Sequence, residues 1–164
     1  MDRKLLEELR DLAGRATPLA GDCGQYCDHA CCYSDEDGLG GVYLFPGEEV
    51  FYENADWCRI EDTQMMGKPA RIMYCLGPCP RDNRPLGCRI FPLTPHFNDE
   101  GELKIRMDCR ARPLCPLVAN GKKGLVRDFV KGVEAAMQKA ASDDEGCEFL
   151  HRWSELEKQF DFRL

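Results

Sequence analysis

The densest chemistry in this sequence is a run of four thiols within ten residues, formed by Cys23, Cys27, Cys31 and Cys32. Thiolates are soft ligands, and closely spaced cysteines can bind one tetrahedral ion or a cluster from a single loop. Adjacent side chains project in different directions, so Cys31 and Cys32 can serve different metal sites. His29 lies inside the run, where it would either ligate a metal or hydrogen-bond a thiolate. The competing interpretation is that these cysteines are small buried residues of a core.

Two further groups of cysteines follow later in the chain. The second group is Cys75, Cys79 and Cys88, and the third is Cys109 and Cys115. Gly77 and Pro78 predict a turn between the first two cysteines of the second group, as a metal-binding knuckle requires. The three groups supply nine candidate ligands, and two sites of four thiolates each would use eight of them.

The remaining two cysteines have weaker support as ligands. Cys58 stands alone after Trp57, and Cys147 begins an amphipathic segment, so we expect both to be packing residues rather than ligands. His96 and His151 have no supporting pattern and are expected to be ordinary structural or surface residues.

Eleven cysteines are too many for an ordinary intracellular domain, and their number is odd. The first ten residues have a charged helical pattern without the apolar stretch of a signal peptide, which predicts a cytoplasmic protein. A reducing compartment would keep the thiols free for metal binding or thiol chemistry. A thiol-redox role is disfavoured, because no Cys-x-x-Cys pair follows a strand in a βαβ pattern.

Charge separates the central part of the chain from the rest. The net charge of -7 argues against a nucleic-acid partner or an anionic membrane. Between Lys68 and Arg112, however, nine basic and five acidic residues leave a net charge of +4, whereas the rest of the chain carries -11. A divalent ion with four thiolates has two excess negative charges, which guanidinium groups in this stretch would offset. Alternatively, these arginines pair with the acidic surface elsewhere, or they form an anion-binding face over the metal.

Apolar periodicity predicts helices at both ends of the chain. Leucines at helical spacing indicate a short helix over 2–13, and a longer apolar face covers 124–141. Ser142 and Glu145 resemble a capping box that starts a final helix. Pro46 predicts a helix over roughly 46–54.

Two short strands are predicted in the centre, over 70–75 and 102–107, and together they suggest a small hairpin or ribbon. The expected fold class is therefore α+β, helix-rich at both ends around a central cysteine-rich loop and short β-ribbon. We expect one domain over 1–164, with a metal-binding region at 21–116 and a helical hairpin at 122–162.

One string in the second cysteine group is specific enough to suggest a family. It reads Arg-Pro-Leu-Gly-Cys-Arg-Ile-Phe-Pro over 84–92, downstream of Cys79 and of the first group that ends in Cys31-Cys32. With the Leu-Phe-Pro-Gly-Glu-Glu segment at 44–49, it resembles the CxxCxxCC, or YkgJ-like, family of zinc- or iron-chelating proteins. The resemblance covers about 21–116. This chain departs from the pattern in spacing, since three residues separate the cysteines of the first group where the family has two.

The resemblance implies zinc or an iron–sulfur cluster as the cofactor. Within the family string, we expect Pro85 to shape the ligand loop and Arg84 and Arg89 to compensate thiolate charge. Similar cysteine patterns occur in flagellin lysine N-methylases, which by analogy raises an alternative. In that alternative, the same cysteines hold an iron–sulfur cluster that serves protein N-methylation or electron transfer. Zinc and iron both accept four thiolates, so the type of ligand residue does not distinguish between the two metals.

Overall fold

A computed structural model describes residues 1–32, 40–77, 79 and 81–160 of the 164-residue chain. The predicted α+β class is confirmed, with helices at both ends and two small antiparallel sheets between them. None of the helices in these ranges is long and apolar enough to cross a membrane. Pro78 and residues 161–162 of the predicted C-terminal hairpin lie outside the described residues.

The N-terminal helix α1 runs over Arg3–Gly14 and matches the predicted segment closely. Asp2 caps it, with its side chain accepting a hydrogen bond from Leu5 N at 2.8 Å. Its buried face consists of Leu6, Leu9 and Ala13, and packs mainly on the C-terminal helix α3 (Arg127–Ala140).

The final helix α4 covers Asp144–Phe160, directly after a short turn. The predicted capping box does not form as expected. Asp143 Oδ1 accepts from Gly146 N at 2.9 Å, while the Ser142 hydroxyl donates back to Lys139 O. The aspartate one position further along therefore supplies the cap, because serine and aspartate are comparable capping residues and local geometry chooses between them.

The first sheet has the order β1-β3-β2, with β1 at Val42–Tyr43, β2 at Cys58–Met65 and β3 at Lys68–Cys75. The second sheet pairs β4 (Leu93–Phe97) with β5 (Leu103–Met107). Both predicted strands exist, but the ribbon that would join them was wrong: each pairs with a strand that the sequence pattern did not reveal. β2 is largely polar, with a single fully buried residue at Met65, so its weak alternation hid it.

One predicted central helix is smaller than expected, and another short helix was not predicted. The segment after Pro46 forms only a one-turn 3₁₀ helix at Glu48–Phe51, preceded by Gly47 in the left-handed conformation. Helix α2 is a five-residue helix at Leu86–Ile90, and it begins directly after Pro85. Helix α2 carries Cys88 between the buried side chains of Leu86 and Ile90, which anchor the helix in the core.

One buried apolar cluster contains residues from both ends of the chain and from its centre. It includes Leu9 of α1, Phe45, Ile90 of α2, Phe129 of α3 and Trp153 of α4. Phe45 packs against Phe149 and Trp153 with ring centroids 4.6 and 5.9 Å apart. The helices at the two ends thus form the base on which the central cysteine-bearing segments rest.

Candidate metal centre

The first cysteine group is shaped by two short 3₁₀ helices, at Cys23–Tyr26 and Ala30–Cys32. Asp22 starts the first one by accepting from Gly24 N at 3.1 Å. Asp28 and His29 then adopt positive φ angles of 50° and 55°, which interrupt any helix and reverse the chain. The reversal brings the second half of the group back over the first half.

Gly24 makes this reversal sterically possible. A Cβ atom at this position would lie 2.3 Å from Nδ1 of His29, so no other residue fits without moving the ring. The imidazole lies close enough to Cys32 to favour its thiolate electrostatically. His29 thus lies beside a candidate ligand, as one of the two sequence-based alternatives expected.

Four cysteines from three separate segments interact electrostatically in every pairwise combination. We call them the Cys88 set: Cys32, Cys75, Cys79 and Cys88. Cys32 ends the first loop, Cys75 ends strand β3, Cys79 follows the next turn and Cys88 lies in helix α2. Burial is the main cause that raises the pKa of Cys88 to about 12, followed by the charges of Cys32 and Cys79.

A second group of thiols adjoins the first, and we call it the Cys115 set: Cys23, Cys27, Cys31 and Cys115. Cys23, Cys27 and Cys115 interact electrostatically with one another. Cys31 interacts with Cys27 and also with Cys88, so it lies between the two sets. These four cysteines and Cys88 line a cavity of about 70 Å³.

Hydrogen bonds between thiols already prepare two of the sulfurs as ligands. Cys75 donates to Cys79 and Cys31 donates to Cys32, which lowers the pKa of each acceptor to about 6. The pKa of each donor is raised in return, since it holds the shared proton. A thiolate is the form that ligates metal, so the lowered pKa favours the ligating form of the acceptor in each pair.

Arg84 provides the positive charge at this site. Its guanidinium group hydrogen-bonds Cys79 and interacts electrostatically with Cys32, and its Nε is buried without a hydrogen-bond partner among the described residues. Arg84 also lines the cavity between the two sets. Its contacts match the predicted role in compensating thiolate charge.

Arg89 has a different set of contacts from those expected. Its Nε donates to Arg84 O at 2.7 Å, another guanidinium nitrogen donates to Asp82 O, and Nη1 reaches Arg10 O at 3.5 Å. Arg89 therefore ties the backbone of the Arg84 turn to α1 and α2, and it also lines the cavity that five of the cysteines line. Pro85 immediately precedes α2, consistent with a role in shaping the segment that presents Cys88.

A buried carboxylate whose partners the sequence pattern did not reveal anchors the start of α2. Glu48 is fully buried, and it accepts hydrogen bonds from Leu86 N at 2.7 Å and from Phe45 N at 3.1 Å. Arg10 lies 3.5 Å away. Burial raises the pKa of Glu48 to about 7. Glu48 falls within the segment that contributed to the family resemblance, which was the available signal.

The structure does not place all nine predicted ligands together. Eight of them form the two sets, whereas Cys109 lies beside Asp108 and Glu157, with donor atoms of the three residues within 4.8 Å of one another. Its Sγ is 3.9 Å from Glu157 O. Long sequence separation hid this group, because Glu157 belongs to the last helix.

The two cysteines predicted to be packing residues differ from each other. Cys147 packs against the main apolar cluster, as expected. Cys58 packs against a second, smaller apolar cluster, also as expected, but it is the cross-strand partner of Cys75 and interacts electrostatically with Cys79, so it borders the Cys88 set too. All eleven cysteines lie in described residues, and none of them forms a disulfide. His151 stacks on Phe97 with ring centroids 3.8 Å apart.

Comparison of this chain with protein-family models, with curated proteins and with solved structures finds no match. The similarity to the YkgJ-like family therefore rests on the residues quoted above and stays a prediction.

Proposed function

We propose that this protein binds metal through two adjacent centres, formed by the Cys88 set and the Cys115 set. The observation that carries this proposal is the Cys88 set, in which sulfurs from three distant segments converge in every pairwise combination. Cysteines that serve only in packing have no reason to cluster in this way. Each thiolate raises the pKa of the neighbouring thiols and so opposes their ionisation. A bound cation reverses that cost.

The composition of each set suits zinc or iron. Four thiolates complete a tetrahedral coordination shell, so such a site is closed and contributes to folding stability. Four thiolates around a divalent ion carry two excess negative charges, which Arg84 would partly offset from its place beside Cys32 and Cys79. The family resemblance supports the same ligand chemistry.

A second candidate function is iron–sulfur chemistry, either electron transfer or catalysis of the N-methylase type. The cavity of about 70 Å³ at the Cys115 set favours it. A single water-sized atom needs roughly 10–15 Å³ by the same measure, so this space suits a multi-atom cluster better than one ion. Cysteine-held clusters of this kind have reduction potentials that nearby hydrogen-bond donors tune, and Arg84 is such a donor.

The experiment that tests the two-centre arrangement compares Cys88→Ser with Cys115→Ser after anaerobic purification. Each variant should lose the metal of its own set and keep that of the other, as measured by elemental analysis. Cys147→Ser is the matched control, because it alters a partly buried cysteine in the apolar cluster. Full metal content in both ligand variants would refute the proposal, as would complete metal loss in the control.

A further inference from the structure

A separate group of potential ligands lies at the junction of the second sheet and the last helix. Asp108 and Cys109 directly follow strand β5, and Glu157 reaches them from the C-terminal part of α4. One donor atom from each residue lies within 4.8 Å of the other two. We propose that Asp108, Cys109 and Glu157 form a third site, which binds one divalent cation of the zinc type independently of the two cysteine sets.

The strongest observation is the burial of the Glu157 carboxylate. Its side chain is fully buried, and Arg106 Nε donates to Oε1 at 3.1 Å. Within the described ranges, no hydrogen-bond donor meets the second oxygen, Oε2, and Nδ1 of His96 approaches it at 3.6 Å. A buried carboxylate oxygen without a hydrogen bond is costly, and a cation bound at this group would remove that cost.

The donor types select the kind of cation. One thiolate with two carboxylates suits zinc, which accepts both sulfur and oxygen ligands, whereas calcium and magnesium prefer oxygen alone. Tetrahedral zinc with these ligands separates its donor atoms by about 3.3–3.7 Å, a spacing that lies within the 4.8 Å limit on the present separations. His96 is positioned to supply a fourth ligand, since its imidazole already contacts Glu157.

Two arginines, Arg106 and Arg110, form ion pairs with the carboxylates at this site. Arg110 donates to both oxygens of Asp108, through Nε at 2.9 Å and Nη2 at 2.6 Å. Carboxylate oxygens have about four acceptor positions, so such bonds leave lone pairs for a metal and orient the ligands. On metal binding the Cys109 S–H bond breaks, a sulfur–metal bond forms, and the proton leaves to water.

The test is zinc-dependent protection of Cys109 from iodoacetamide, measured by mass spectrometry on the full chain. Trypsin cleavage at Arg106 and Arg110 separates Cys109 from the other cysteines. We expect zinc to slow alkylation of Cys109 at least tenfold, and Glu157→Gln to abolish this protection. Glu155→Gln, an exposed carboxylate on the same helix, is the matched control and should retain it.

Equal alkylation rates of Cys109 with and without zinc would overturn the proposal, and the three residues would then be only an ion network that the arginines neutralise. Zinc protection of Cys147 equal to that of Cys109 would also overturn it, since zinc would then be tightening the whole fold. If Glu157→Gln does not fold, Asp108→Asn takes its place and is expected to lose protection in the same way. The alkylation of Cys88 and Cys115, measured in the same digest, reports separately on the two cysteine sets.

Discussion

Replacing Glu48 tests how the fold supports the cysteine sets. Its carboxylate joins the backbone N–H of Phe45 to that of Leu86, the first residue of the helix that carries Cys88. Glu48→Ala leaves both buried donors without an acceptor, at about 1–3 kcal/mol each. We therefore expect the free energy of unfolding to fall by about 2–6 kcal/mol.

The assay is denaturant unfolding of the metal-loaded protein, followed by tryptophan fluorescence. Glu53→Ala is the matched control, because it removes an exposed carboxylate from the same segment and should change stability by less than about 0.5 kcal/mol. A loss below about 1 kcal/mol for Glu48→Ala would refute the reasoning, since it would mean that the carboxylate does not hold the two segments together.

The pKa of Glu48 adds a pH dependence to the same site. Burial raises the pKa of this group in the folded protein to about 7, above its ordinary value of 4.5. The folded state thus binds the proton more tightly than the unfolded state does. Its contribution is fully present below pH 4.5 and is lost as the pH rises to about 7. As the pH rises from 4.5 to about 7, the stability of the wild type should decline relative to that of Glu48→Gln. A relative rise would contradict a raised pKa for Glu48 in the folded protein.

Three further predictions concern the sites and the helix packing. Arg84→Gln should raise the pKa of Cys79 and slow its alkylation at pH 7 in metal-free protein, because the variant loses a charged hydrogen-bond donor to that thiolate; an unchanged rate would count against this role. Gly132→Ala should destabilise the protein by about 1–3 kcal/mol in thermal unfolding, since the added Cβ would lie 2.6 Å from Leu12 O and push α1 away from α3. Replacing an exposed helical glycine by alanine normally stabilises a protein, so stabilisation here would contradict this packing. Metal removal by a chelator should expose amides of 21–116 to hydrogen exchange well before those of α3, and uniform exposure would contradict a locally stabilising role.

Helical periodicity made the ends of the chain predictable, because α1, α3 and α4 each place an apolar face on the core. The centre was less predictable. Strand β2 presents mostly exposed polar residues, and the one-turn helix after Pro46 lacks the length over which periodicity can be read. The pairing of β3 with β2, rather than with β5, depends on the tight turn at Met66–Gly67, whose residues both have positive φ angles.

Cysteine spacing identified which thiols to consider, but the grouping of these thiols depends on tertiary structure. Cys31 and Cys32 were expected to be able to serve different sites. Cys31 hydrogen-bonds Cys32 and also interacts with Cys27 and Cys88, at the border of the two sets, so that division stays a prediction. Cys109 belongs to the third sequence group with Cys115 but lies beside Glu157, a contact that depends on the docking of α4. Buried Glu48 was hidden for the same reason, because its partner Leu86 is 38 residues away.

The central claim is most directly tested by elemental and sulfide analysis, with a visible absorption spectrum, on anaerobically purified protein. The account predicts metal in both cysteine sets, as zinc in a colourless sample or as iron with matching sulfide and a broad band near roughly 400 nm. Zinc would make both centres structural, and iron would favour electron transfer or catalysis. Folded protein that contains neither metal, and that takes up neither on reconstitution, would contradict the account.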